Sequence, residues 1–172
     1  HKLPFLELVQ HEKELLVTKM PASLLVDVSY ASIRGVDDEE GAIQRYLNTR
    51  RINSIKDFTL NGGYYPNAIV LNWVNSEHPI KKLGDEIEIE NVQKSAQLID
   101  GQHRVAGLSA AIQENPDFST FEVPVVIYQN LNTKQCANIF LAINTEQKPV
   151  PRSLVFDLYG ICLLYTSDAA DE

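Results

Sequence analysis

Leu98-Ile99-Asp100-Gly101-Gln102-His103-Arg104-Val105 is the stretch whose reading decides the fold. Ala96 to Ile99 reads as a strand, apolar but for Gln97, and Val105, Leu108, Ala111 and Ile112 return at the spacing of one helix face. The pattern predicts a strand over 96–99 and a helix from Gln102 to about Gln113, ended by Asn115-Pro116. Between them stand a carboxylate, a glycine, an amide, an imidazole and a guanidinium in succession. Ligands of α/β sheets bind in crevices at the carboxyl ends of strands, which is where this junction falls.

Upstream of the junction, Ala68 to Val74 reads as an apolar run with the length of a buried strand, and Phe121 to Tyr128 reads as another buried strand downstream. Phe5 to Gln10 and Leu15 to Lys19 read as short strands around the polar turn His11-Glu12-Lys13, and Glu86 to Ile89 alternates like an exposed strand. Asn48 is a plausible N-cap for a helix to about Phe58, with Ile52, Ile55 and Phe58 on one face and Asn61-Gly62-Gly63 as its stop. Pro21 to Tyr30 reads as a short helix burdened by β-branched residues, and Asp37 to Gly41 as a polar loop. Asn132 or Thr133 caps a helix through Asn144; Lys148-Pro149-Val150-Pro151 breaks it, and 153–159 resumes as helix. Strands alternating with helices predict an α/β fold, with no internal repeat.

Gly101 has no Cβ, so the backbone can turn sharply and a ligand can approach it. The unpaired amides of the helix start favour an anion, each such dipole contact being worth roughly 0.3–1 kcal/mol. Arg104 adds a fork of donors suited to phosphate oxygens. Gly101, Gln102, His103 and Arg104 are therefore candidate phosphate-binding residues, and a nucleotide is the anion they suit best. Asp100 repels a bare phosphate, so it either holds a divalent metal such as Mg²⁺ between itself and the phosphate, or orients His103, or takes a proton. On these roles Asp100 and His103 are candidate catalytic residues; the plain alternative is that Asp100 caps the helix, Arg104 pairs with it and His103 is satisfied by the backbone. Gln44, Arg45, Arg51, Asn67 and Asn144 are weaker candidates for ligand contact. No P-loop appears, and the histidines lack metal-ligand spacing.

The chain has 172 residues and a formal net charge of −8. Its last stretch, Cys162 to Glu172, matches the translation of a transposase sequencing adapter and is set apart from fold reasoning. Asp168, Asp171 and Glu172 lie in it, so without it the net charge is −5. The expected organisation is one domain over 1–161, a fragment of a longer protein, followed by a non-native tail over 162–172. Of the two cysteines only Cys136 then remains, which agrees with a reducing compartment. The acidic balance argues against a general DNA-coating protein, although Arg45, Arg50, Arg51 and Lys56 cluster locally. No apolar run approaches the roughly 20 residues of a membrane span.

Asp100 to Arg104 spells DGQHR, and the chain resembles the bacterial domain family that carries this signature and includes the DndB proteins of DNA phosphorothioation. Gln44-Arg45, Asn48 and Arg51-Ile52 resemble the family's QR…N…RI segment, and Pro66 to Leu71 its PN-hydrophobic strand. Phe140, Ile143-Asn144 and Lys148-Pro149-Val150 resemble its F..IN…KPV stretch. More distantly, the family is similar to the ParB N-terminal and sulfiredoxin fold, which implies a mixed sheet flanked by helices. It also implies that the Gly101 to Arg104 element faces nucleotide phosphates, with Gly101, His103 and Arg104 nearest. Sulfiredoxin's catalytic cysteine has no counterpart, and Cys136 reads as core. The resemblance implies a cytoplasmic protein of a DNA-modification or phage-defence system that binds a nucleoside triphosphate, with Mg²⁺-dependent hydrolysis left open. A non-catalytic DNA-binding regulator and a module that binds another DNA-modification protein are the alternatives.

Overall fold

The computed structural model describes residues 1–31 and 47–145. The polar loop expected at Asp37 to Gly41, the break at 148–151, the helix at 153–159 and the tail at 162–172 lie outside them. The chain divides into two units, His1–Phe140 and Leu141–Glu172, and of the second only the residues to Thr145 are described.

The elements run β1 (Lys2–Gln10), β2 (Lys13–Pro21), α1 (Ala22–Val28), β3 (Ser29–Tyr30), α2 (Thr49–Leu60) and β4 (Ile69–Trp73). Then follow β5 (Lys81–Leu83), β6 (Glu86–Glu88), β7 (Ala96–Asp100), α3 (Gln102–Glu114), a 3-10 turn (Pro116–Thr120), β8 (Glu122–Gln129) and α4 (Thr133–Thr145). The strands form one eight-stranded sheet in the order β3-β7-β4-β8-β2-β1-β6-β5. The β3–β7 and β4–β8 pairs are parallel and the others antiparallel, so the sheet is mixed, as expected.

Register explains the core. Leu16 pairs with Ile127, Ile127 with Leu71, and Leu71 with Leu98, which sets one continuous apolar row across β2, β8, β4 and β7. All four side chains are buried, each contributing roughly 1.5–3 kcal/mol. Leu24, Leu25 and Val28 of α1 and Val105 and Leu108 of α3 belong to the same cluster. Asn72, fully buried, accepts from the Leu131 amide at 2.9 Å and donates to the Leu131 carbonyl at 3.0 Å, which fixes the entry to α4. Cys136 is buried beside it, and burial pushes its thiol above the ordinary range.

Helix starts follow local chemistry. Asn132 Oδ1 accepts from the Gln135 amide and Gln135 Oε1 accepts from the Asn132 amide, both at 2.9 Å, a reciprocal cap that makes Asn132 the start signal of α4. Two expectations change. Glu86 to Ile89 is not an exposed strand, because Ile87 and Ile89 are fully buried and β5 pairs with its outer side. The segment from Pro21 to Tyr30 is helical only over Ala22–Val28, after which Ser29 and Tyr30 pair with β7 as a short edge strand. No helix among the described residues is long and apolar enough to cross a membrane.

Candidate functional site

β7 ends at Asp100, and Gly101 turns the chain into α3 with φ +104°, a left-handed conformation that side chains resist. A Cβ at Gly101 would also lie 2.5 Å from Ile69 Cδ1, the movable end of that side chain, so the backbone conformation is the main reason for glycine here. No side chain caps the start of α3. The first amide bonded within the helix is that of Val105, to the Gly101 carbonyl at 2.9 Å, which leaves the amides before it oriented outward along the helix axis.

The side chains of the motif divide between holding the junction and facing out. Arg104 is drawn inward: Nη2 meets Asp100 Oδ2 at 2.7 Å and the Ala68 carbonyl at 3.1 Å, and Nη1 donates to the Asn67 carbonyl at 2.5 Å. Both charged side chains are less than a quarter exposed, so this is a partly desolvated, charge-assisted pair. Gln102 folds back onto its own strand, with Nε2 donating to the Ile99 carbonyl at 3.0 Å. His103 reaches sideways, and its Nε2 accepts the Asn48 amide proton at 3.1 Å. The ring is thus neutral with its proton on Nδ1. Burial first, and the charge of Arg51 second, pull its pKa below the ordinary imidazole value.

That contact joins two helices. Asn48 caps α2 by accepting from the Arg51 amide at 3.2 Å, while its own amide rests on His103 of α3. Further along, Ile55 packs where a Cβ on Gly107 would stand 2.4 Å from Ile55 Cγ2, and Lys56 reaches Glu114 at 2.6 Å. The helices therefore run side by side in the same direction, with their N-termini together. Their dipoles then add at one end, an arrangement that repels itself unless negative charge sits there. Arg50 and Arg51 project from the first turn of α2, exposed, with no salt bridge or side-chain hydrogen bond among the described residues.

The structure thus brings Asp100, Gly101, Gln102, His103, Arg104, Arg51 and the carbonyl of Asn67 into one neighbourhood. Gln44 and Arg45 lie outside the described residues, and Asn144 lies in α4 within the second unit. Asp100 gives Oδ2 to Arg104, so a divalent metal between it and a phosphate would be held through Oδ1, and among the described residues no group of three or more His, Cys, Asp or Glu side chains is placed to hold a metal ion without such a phosphate. Nor does Asp100 cap α3, the role the plain alternative gave it, although that alternative's Arg104 pairing and its backbone partner for His103 are both present. Arg50 stands beside Arg51 in the first turn of α2, and the sequence marked it only as a member of the basic cluster before the junction. Tyr65 packs close enough to feel the charge of Arg104: burial pushes its phenol above the ordinary value, and the bond to Thr59 and the charge of Arg104 oppose the shift.

A mixed α/β sheet whose strand-glycine-helix junction opens at the shared start of two parallel helices is the class of protein that this fold and site define. The chain belongs to the DndB family, described as DNA-sulfur modification-associated, whose model matches residues 3–162. No curated protein matches the chain. Among solved structures it is similar to the C-terminally truncated chromosome-partitioning protein ParB from Caulobacter crescentus complexed with CTP-gamma-S, at 10% identity and a TM-score of 0.47. The likeness covers 78% of this chain and 55% of that one, so the chain spans little more than half the length of that protein.

Proposed function

We propose that the junction is a nucleotide-phosphate site serving a DNA-sulfur modification system, and that it binds its ligand rather than turning it over. The observation that carries this reading is the meeting of the α2 and α3 N-termini beside Arg50 and Arg51, cations with no partner among the described residues. Negative charge placed there is favoured by both dipoles, by the outward amides after Gly101 and by arginine forks. Asp100 and Arg104 act as positioning residues, since together they tie the end of β7 and the 67–68 carbonyls to the start of α3. His103, with Nε2 occupied, presents Nδ1–H as a donor and has no free nitrogen with which to take a proton from water. With His103 so occupied and one oxygen of Asp100 committed to Arg104, the motif is better suited to hold a ligand than to activate water, which is why binding is favoured over hydrolysis.

Calorimetry of the full chain with ATP, CTP and GTP in EDTA tests this. Binding without metal is expected, with Arg51→Ala weakening it about tenfold or more at unchanged melting temperature, since a charged hydrogen bond is worth roughly 1.5–3 kcal/mol. Arg104→Ala is expected to lower both melting temperature and affinity. Millimolar nucleotide without heat of binding to the wild type sinks the proposal.

A second reading has the same arginines contact the phosphates of DNA, which the family's association with DNA sulfur modification favours. Salt-dependent binding of DNA, with no competition from nucleotide, would select it.

A further inference from the structure

His103 stands in the first turn of α3, and its ring is partly buried. The lone pair of its Nε2 is spent on the Asn48 amide at 3.1 Å, the contact that holds the start of α2 against the start of α3. The same Asn48 caps α2 through the Arg51 amide at 3.2 Å. An imidazolium has no lone pair, so a proton on Nε2 and the Asn48 contact exclude each other. With no anion at the junction the contact prevails, because burial and the charge of Arg51 both disfavour the proton.

The charges around the ring decide what reverses that balance. On α2, Arg50 and Arg51 are positive, and Lys56 is taken by Glu114 and Asp57. Glu114 stands at the other end of α3, roughly 16 Å from His103 along the axis, and Asp117 of the 3-10 turn lies beyond it. On α1, Asp27 is bound by Asn91 at 2.9 Å. Asp100, at the end of β7, gives Oδ2 to Arg104 at 2.7 Å. The carboxylates of the elements packed against α3 are thus distant from the ring or engaged, and Arg51 is the charge it feels. A phosphate at the two helix starts supplies the missing negative charge. A hydrogen bond to a charged group is roughly twice as strong as a neutral one, so an imidazolium beside an anion outweighs the contact given up. The released Asn48 amide joins the donors at the start of α2.

We infer that anion binding at this junction is proton-linked: as negative charge arrives, His103 releases the Asn48 amide and takes a proton from water on Nε2, so the ligand is held more tightly as pH falls. The inference rests on the phosphate site proposed above and adds its regulation. Linkage makes the effect reciprocal, since an anion that favours the imidazolium is favoured by it to the same degree. The charged ring donates from both nitrogens and is no base, in keeping with binding rather than hydrolysis.

The test uses two anions whose charge is constant from about pH 5 to 8, inorganic sulfate and a thymidine dinucleotide joined by a phosphodiester, with the full chain in EDTA at fixed ionic strength. Calorimetric affinity of the wild type is expected to rise about five- to tenfold from about pH 7.5 to about 5.5. The His103→Gln chain keeps an acceptor for Asn48 and takes no proton, so its affinity is expected to stay level with pH. Ring NMR signals of the wild type give a second reading. The titration midpoint of His103 is expected to move up when sulfate replaces chloride, while those of His1, His11 and His78 stay in place. A wild-type affinity that is level with pH, or that weakens on acidification, overturns the inference and leaves the phosphate site standing. So does an equal rise in His103→Gln, or an unmoved His103 midpoint. A wild type that binds neither probe at any pH overturns both.

Discussion

His103 takes its state from its neighbours. Its Nε2 accepts from Asn48, and the charge of Arg51 adds to burial in disfavouring the imidazolium. The folded pKa therefore lies below the ordinary value of about 6.5. As pH falls through about 6.5 the unfolded chain takes a proton that the native chain refuses, so this contribution to stability is fully present above that pH and is lost as pH falls toward the depressed folded value. Gln in place of His103 keeps an acceptor for the Asn48 amide and cannot titrate. The melting temperature of wild type relative to His103→Gln should thus be constant above about pH 7 and fall steadily below about 6.5; a difference that stays level down to pH 5 would show that His103 titrates as an ordinary histidine. The sequence placed Asp100 to Arg104 at the strand end, and that much was legible because apolar period and glycine are local signals. The direction of Arg104 was not, because the carbonyls that capture it belong to residues 37 and 36 positions away. No pattern within a helix turn reports a partner at that separation.

Among the elements, the pairing of α2 and α3 sets the site. Two parallel helices come this close because Gly107 offers no side chain to Ile55. Gly107→Leu should push α2 off α3 and cost about 1–3 kcal/mol, the usual range for overpacking. Trimming the other side relieves the clash, so Gly107→Leu with Ile55→Ala should be more stable than the sum of the single effects by about 0.5–3 kcal/mol. Denaturant unfolding of the four proteins gives this coupling, and strict additivity would show that the two positions do not meet. Helix starts were readable from Asn48 and Asn132, whose side chains cap in the way their position predicted. The edge strands were not. Lys81 and Lys82 look like loop residues and become strand only because β6 supplies partners, and Ser29 and Tyr30 are strand only because β7 lies beside them. Pairing partners, not propensity, made those strands.

At the scale of the whole molecule, charge is uneven. The chain carries −8 overall, yet its candidate site gathers two helix starts, Arg50 and Arg51. Lys56, the next base along α2, is taken by Glu114, and Lys82 on the far side of the sheet is taken by Glu7 and Glu14. A surface that coats DNA releases many counterions, and its affinity falls steeply with salt. A site with two available arginines neutralises about two phosphates, which for a duplex gives a slope of log K against log salt no steeper than about −2. The net negative charge of the chain disfavours the remainder of a long polyanion, so it weakens duplex binding without steepening that slope. Fluorescence anisotropy of a labelled duplex and of a labelled nucleotide, titrated with the full chain from about 50 to 300 mM salt, separates the cases. The expected result is a shallow slope for the duplex and a shallower one for the nucleotide. A duplex slope near −6 would require a broad basic face, and the proposed division of labour, in which a small phosphate ligand is held by the junction between β7 and α3, would then give way to direct DNA recognition.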